Sequence, residues 1–395
     1  MTRELLPPHC VRVRDTVEEF WDERIVAECL HKLQGGAPGD FLQELAAYLG
    51  ASGQIYAMPS AREALRDLLI RVAAPPKNVV LICSFNCPVV MGAVIQAGCS
   101  LETFDLSDNH GMIDWELIAS RLQPHHLAVV VPHFFGVPTD FRPVIPAAEA
   151  SGVLLIEDCA QTVGGKIGQL TTGTLGDAAL FSFGYDKPLS LGGGGALLIN
   201  NPRLFQRVPD AASTMTLEQE SSATADFISY LVLRRRAIRA PHLVSRFASR
   251  LLRKNTSVPP VPSFKGIGPL RAALGSWQVR HYPAIVEKRN ANAAMFTQLE
   301  GWTSWSVGSG TTPAWLRQKL VPQTAMDTGG IQGRLRRQGY RVGSFNWPQT
   351  IEGLLGFPEP ANSGFLARCG LDIPVHQNLT SSDLSNMRRI LLDGR

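Results

Sequence analysis

Between about residue 55 and residue 200 the chain repeats one alternation, and that alternation excludes most folds. Short apolar runs (NVVLICSF, SLETFDL, LAVVVPHFF, GVLLIEDCA, DAALFSFG and GALLINN) are rich in Val, Ile, Leu and Phe and bounded by Gly, Pro or Asp. Runs of this length and composition read as buried strands. Between them SAREALRDLLIRVA and PVVMGAVIQAG carry apolar residues at helical spacing. Strands apolar on both faces and separated by helices specify an α/β domain with a mostly parallel, doubly covered sheet. Ligands of such sheets collect beyond the carboxyl ends of the strands, so polar residues just after an apolar run become the candidates.

The rest of the chain sets the frame. At 395 residues and 45% hydrophobic content it can bury a large core, and its length suggests two or three lobes. The N-terminus MTRELLPPHCVRVRD lacks an apolar signal core, and no stretch approaches the roughly 18–20 apolar residues of a membrane span, so a cytoplasmic location is expected. Seven cysteines without CxxC spacing suggest neither a disulfide framework nor a zinc site, and Cys83 and Cys87 read as core thiols. A net charge of +4 argues against a nucleic-acid binder, yet the charge is uneven: from Phe227 to Phe264 there is no acidic residue, while Arg234, Arg235, Arg236, Arg239, Arg246, Arg250, Arg253 and Lys254 all lie there. Residues 202–265 therefore read as a basic insertion or crossover. A long helix is expected from Leu270 to about Leu299, and LRRQGYRVGSF and SDLSNMRRILL suggest a small C-terminal α+β lobe.

Three features inside the α/β region carry chemistry. The run VLLIED ends in Glu157 and Asp158, with Gln161 three residues on. A carboxylate at the end of a buried strand is unfavourable unless a cation meets it. A protonated pyridine nitrogen is such a cation, and an Asp there keeps the ring an electron sink; a capped turn or an Arg partner would also explain Asp158 alone. Second, DAALFSFGYDKPLSLGGGGALLIN ends a strand in Ser182, delivers Lys187 in a turn and then runs through four glycines. A lysine in such a turn can present the free amine that an imine requires. The glycines lack the spacing and the following helix of a dinucleotide fingerprint. Third, Ser60-Ala61-Arg62-Glu63 reads as a helix start with a capping box, and its free N–H groups suit a phosphate, with Arg62 adding charge.

At these residues the chain resembles the DegT/StrS family of sugar aminotransferases, which have the fold type I architecture of pyridoxal phosphate enzymes. GGAPGDFLQELAAYLG is similar to the family's opening segment, PSAREAL to its first phosphate-binding helix, and GMIDWELI, VVPHFFGVPTD and IEDCAQTVGG to later landmarks. The resemblance implies a mostly parallel sheet of the seven-stranded type covered by helices, with a smaller C-terminal α+β lobe. The expected division is an N-terminal arm at 1–35, a large cofactor-binding domain at 36–265 that includes the basic insertion, and a long helix with the small domain at 266–395. It further implies that Lys187 joins pyridoxal 5′-phosphate through an imine and later shuttles protons, and that Asp158 pairs with the pyridine nitrogen. Gln161 would lie against the cofactor, and Ser182 with the backbone of Ser60, Ala61 and Arg62 would hold the phosphate. His133 matches a family histidine near the pocket, although a packed core histidine has the same signature. A homodimer with shared active sites is implied as well.

The chain departs from the family at Arg62, where a hydroxyl residue is usual, at Cys87, where an aromatic ring covers the cofactor, and at Gly193, where a glutamate is usual. The family's Asn-aromatic-Arg segment is replaced by PSFKGIGPL, in which Lys265 could substitute from the partner subunit. The expected function is transfer of an amino group from an amino acid, glutamate foremost, to a keto sugar linked to a nucleotide. The alternatives are a non-transaminating reaction on the same fold, a non-catalytic regulatory protein, and a Rossmann-type oxidoreductase lacking the ribose-binding acid. In the basic segment 227–254, Leu243, Phe247 and Leu251 recur at i, i+4 and i+8 beside arginines, an amphipathic pattern that can lie on an anionic membrane or present a solvated cationic face.

Overall fold

A computed structural model describes residues 21–34, 40–207, 223–225, 227, 229, 267–324, 326–342 and 349–393. Helix α1 (Glu23–Gln34) and helix α2 (Phe41–Leu49) precede the sheet. Asp40 caps α2 by accepting from the Gln43 N–H, and Gly50 ends it in the left-handed region. Strands β1 (Gln54–Met58), β2 (Val79–Cys83), β3 (Ser100–Phe104), β4 (His126–Pro132) and β5 (Leu154–Asp158) follow, then a hairpin of β6 (Lys166–Ile167) and β7 (Leu170–Thr171), then β8 (Ala178–Ser182) and β9 (Gly195–Ile199). The six apolar runs all form strands. Between strands lie α3 (Ala61–Val72), α4 (Pro88–Gln96), α5 (Trp115–Arg121) and α6 (Ile145–Ser151), with α7 (Pro202–Phe205) after β9.

The large sheet has seven strands in the order β1-β9-β8-β5-β4-β2-β3. β9 pairs antiparallel with both neighbours and all other pairings are parallel, so only β9 runs against the rest. The two faces are buried by different elements. Leu65, Leu68, Leu69, Val90 and Val94 of α3 and α4 pack on one side with Val80, Ile82, Val130 and Ile156. The other side is covered near β8 and β9 by α1, α2 and a long helix, α8 (Pro269–Ala294). That helix ends five residues before the expected Leu299 and carries Pro283 inside it.

The C-terminal part holds a second sheet of β10 (Trp302–Ser304), β12 (Gln318–Pro322) and β13 (Leu371–Ile373), while β11 (Thr311–Thr312) joins the β6–β7 hairpin. Around it lie α9 (Thr328–Arg337), α10 (Ile351–Leu355), α11 (Ala361–Cys369) and α12 (Ser381–Leu392), the last opened by a capping box between Thr380 and Asp383. Among the described residues no helix is long and apolar enough to cross a membrane. Lys265, the 241–252 amphipathic pattern and most of the insertion at 202–265 lie outside the described residues, as does most of the 1–35 arm.

Candidate active site

Register brings the carboxyl ends of the strands into a row. Ser182 pairs with Gly195 and Gly195 with Met58, while Asp158 stands beside Pro132 and Leu180. A cavity of about 300 Å³ opens above this row. Its wall includes Ser60, Ala61, Arg62, Cys87, His133, Asp158, Gln161, Ser182 and Lys187. Every candidate site residue within the described residues therefore faces one space.

The anion end is built by α3. Ser60 Oγ accepts from the Glu63 N–H at 3.1 Å, while the reciprocal half of the expected capping box is not formed: Glu63 Oε2 is buried without a hydrogen-bond partner. Burial pushes the Glu63 carboxyl above the usual range. The start of α3 lies against β9 because residue 195 is glycine. A Cβ there would stand 2.6 Å from Ala61 N, 2.7 Å from Phe181 O and 2.7 Å from the Ser60 carbonyl carbon, all backbone atoms that cannot step aside. We expect Gly195→Ala to push α3 off the sheet and destabilise the protein by about 1–3 kcal/mol, measured by urea unfolding, with weaker phosphate binding.

Lys187 sits in a loop that Phe183 closes from below. The Phe183 N–H donates to Gly194 O, and Phe183 O accepts from the N–H groups of Leu191 and Gly193. Gly192, Gly193 and Gly194 all have positive φ, and a Cβ on Gly192 would strike the Tyr185 ring at 2.7 Å. The glycine run thus serves the return of the lysine loop, and a strand follows it. Helix α8 fastens this loop: Gln278 Oε1 accepts from the Ser190 N–H and Gln278 Nε2 donates to Ser190 O, both at 2.8 Å. The Lys187 amine lies 3.5 Å from Asp186 Oδ2 and is partly open to the cavity, with its side chain 20% exposed.

The two acids that end β5 point opposite ways, as strand alternation requires. Glu157 turns inward, where the N–H groups of Gly173, Leu175 and Gly176 donate to it together with His133 Nε2. The Thr139 N–H donates to His133 Nδ1, so the ring proton sits on Nε2 and points at Glu157. His133 is therefore both a packed core histidine and part of the cavity wall. With Cys159 these residues are near enough to hold a metal, but the Glu157 oxygens are engaged by backbone donors. Asp158 instead faces the cavity. Burial pushes its carboxyl above the usual range, against the pull of the Ala160 N–H, Lys187 and His133.

Gln161 does more than line the wall. Its Oε1 accepts from the Phe135 N–H at 2.9 Å, and Phe135 has φ +59°, a left-handed conformation rare for a bulky residue. Phe135 O in turn accepts from the Leu316 N–H, which joins the cavity wall to the C-terminal part.

Sequence reasoning missed two polar wall residues and read Cys87 two ways, as a core thiol and as a cofactor-binding position. Asn86 and Asp186 line the cavity. Cys83 is the core thiol expected, and burial raises it far above the usual thiol range. Cys87 is half-buried at the N-cap of α4, with Pro88 beginning that helix, and lies in the cavity wall as its cofactor-binding reading expects and its core reading does not. The Asn-Cys-Pro spacing was the available signal.

The wall fits pyridoxal phosphate. Arg62 Nε is buried without a hydrogen-bond partner beside the open end of α3, a donor waiting for an anion. The Asp158 carboxyl needs a cation, and the Lys187 amine shares the same space.

The model of the DegT/DnrJ/EryC1/StrS aminotransferase family matches residues 23–303. Protein MosB of Rhizobium meliloti is 30% identical over 190 residues, covering 47% of this chain and 37% of that protein. UDP-N-acetyl-3-dehydro-alpha-D-glucosamine 3-aminotransferase of Acidithiobacillus ferrooxidans is 27% identical over 172 residues, covering 44% of this chain and 47% of that protein. The matches thus span less than half the length of either relative. The fold is similar to that of Helicobacter pylori PseC, an aminotransferase involved in the biosynthesis of pseudoaminic acid, with a TM-score of 0.76 and 15% identity over 97% of this chain and 99% of that one. A match across most of the sequence, on a fold shared nearly end to end with PseC, makes this chain a member of the DegT/DnrJ/EryC1/StrS aminotransferase family.

Proposed function

We propose that the protein is a pyridoxal phosphate-dependent aminotransferase that moves an amino group from an amino acid, glutamate foremost, to a keto sugar linked to a nucleotide. The observation that carries this reading is that Asp158, Gln161, Ser182, Lys187 and the start of α3 line one cavity at the carboxyl edge of the sheet. When bound, pyridoxal phosphate supplies the carbon that carries the amino group between donor and acceptor, and a ring that stores the electron pair. Ser60, Ala61, Arg62 and Ser182 would hold its phosphate, and the Asp158 carboxylate would meet its ring nitrogen and favour the protonated form. Lys187 Nζ takes the proton from the amino-bearing carbon of the donor and returns one on the acceptor side. The name of the Acidithiobacillus relative supports a nucleotide-linked sugar as acceptor. A large lobe at 36–265, a smaller one at 266–395 and a homodimer belong to the same reading.

The small side chain at Cys87 leaves that wall open and favours, as a second reading, a dehydratase-like reaction on the same cofactor. Absorbance spectra separate the two. Purified protein given pyridoxal phosphate should show a visible band that Lys187→Ala lacks, and glutamate should bleach it with release of one equivalent of 2-oxoglutarate. A lysine-dependent band untouched by any amino donor would favour the second reading, and no band would overturn both.

A further inference from the structure

Two helices start at the cavity, and they are not alike. Helix α3 is capped by Ser60. Helix α4 has no side-chain cap, and its first turn lines the cavity through Cys87, Val89 and Val90. Pro88 at its first position has no N–H, the Cys87 N–H donates to Asn86 Oδ1 and the Val90 N–H to Cys87 O, so this end offers an anion the positive end of the helix dipole and not a row of free backbone donors.

Asn86 stands at the same end. It is 2% exposed, and its Oδ1 accepts from the Cys87 N–H at 2.7 Å. That bond fixes which way the amide faces, because only the oxygen can meet an N–H. The Asn86 Nδ2 donor is then held at the start of α4, buried and without a hydrogen-bond partner. A buried amide donor left in this state has lost its solvation without gaining a hydrogen bond, a loss that an acceptor oxygen delivered by a ligand would restore. The neighbouring residue 87 is a half-buried cysteine, which leaves room before α4 that a larger side chain would fill.

We propose that Asn86 Nδ2 and the N-terminus of α4 form a second anion subsite in this cavity, one that takes a carboxylate or phosphate group of the substrate. The inference rests on the functional reading above in one respect: the cradle at α3 holds the cofactor phosphate, so a second anion belongs to another ligand. Two substrate groups share this chemistry, the carboxylate of the amino donor and the diphosphate of a sugar nucleotide.

The test is calorimetric titration of cofactor-loaded protein with glutarate in one series and inorganic pyrophosphate in another. Asn86→Asp keeps the acceptor for the Cys87 N–H and replaces the free donor with a negative oxygen. Cys87→Phe keeps Asn86 and fills the approach to α4. Each variant should weaken binding of the preferred anion at least about tenfold, while pyridoxal phosphate affinity changes less than about twofold in Asn86→Asp. Glutarate as the preferred anion assigns the subsite to the amino donor; pyrophosphate assigns it to the nucleotide. Equal anion binding in wild type and both variants overturns the proposal. So does an anion that binds only in competition with pyridoxal phosphate, since it then occupies the cradle at α3. If the protein takes up no cofactor, the functional reading fails, and the same titrations on cofactor-free protein still decide the subsite.

Discussion

Lys187→Ala is expected to lower transamination by about ten-thousandfold or more while leaving the fold intact. The amine is the only group among the cavity-lining residues that can form an imine with a carbonyl carbon and then carry a proton, so no neighbour substitutes for it. Its structural contribution is small. Among the described residues its one ion pair is with Asp186, whose side chain is 60% exposed, and pairs of that kind contribute roughly 0–1 kcal/mol. Thermal unfolding of the variant should therefore track wild type. Lys187→Arg should be equally inactive, because a guanidinium keeps the charge but offers no free amine at neutral pH. Substantial activity in either variant would remove Lys187 from the reaction.

Asp158→Asn should have opposite effects on binding and on stability. Removing one member of a buried ion pair costs about 3–5 kcal/mol, so pyridoxal phosphate should bind roughly a hundred- to several thousandfold more weakly, read by fluorescence titration. The cofactor-free variant should unfold at a higher temperature than wild type at neutral pH. The sign follows from the raised pKa: the folded protein retains a proton that the unfolded chain gives up, so this contribution is present at acid pH and is lost as pH rises through the folded value. Asparagine mimics the protonated form at every pH. The gap in Tm should accordingly close as pH falls, and a gap that widens in acid would contradict the assignment.

How much could be read from the chain depends on how local each feature is. The buried strands were legible because each is an apolar run broken by turn residues. The edge strand Gln54–Met58 was not singled out, since it is half-exposed and opens with a glutamine. Asp158, Gln161, Ser182 and Lys187 were legible together because they fall within about thirty residues and end or closely follow β5 and β8, which lie side by side in the sheet. The partners that hold them are distant. Trp21 donates to Ser190 O across 169 positions, and Ser84 donates to Glu352 across 268. Pattern reasoning reaches the groups that do chemistry sooner than the groups that steady them, because the first are recognised by type and the second by contact.

The clamp of Gln278 on Ser190 also sets an order of events during synthesis. A chain that has left the ribosome only as far as β9 already holds Asp158, Ser182 and Lys187, yet the Gln278 that fastens the lysine loop is encoded 88 residues after Ser190. At about 5–20 residues per second that interval lasts several seconds. Cofactor capture should therefore be an event of the nearly finished polypeptide, and a nascent chain stalled before residue 269 should elute free of the vitamin B6 group that the released protein is expected to retain.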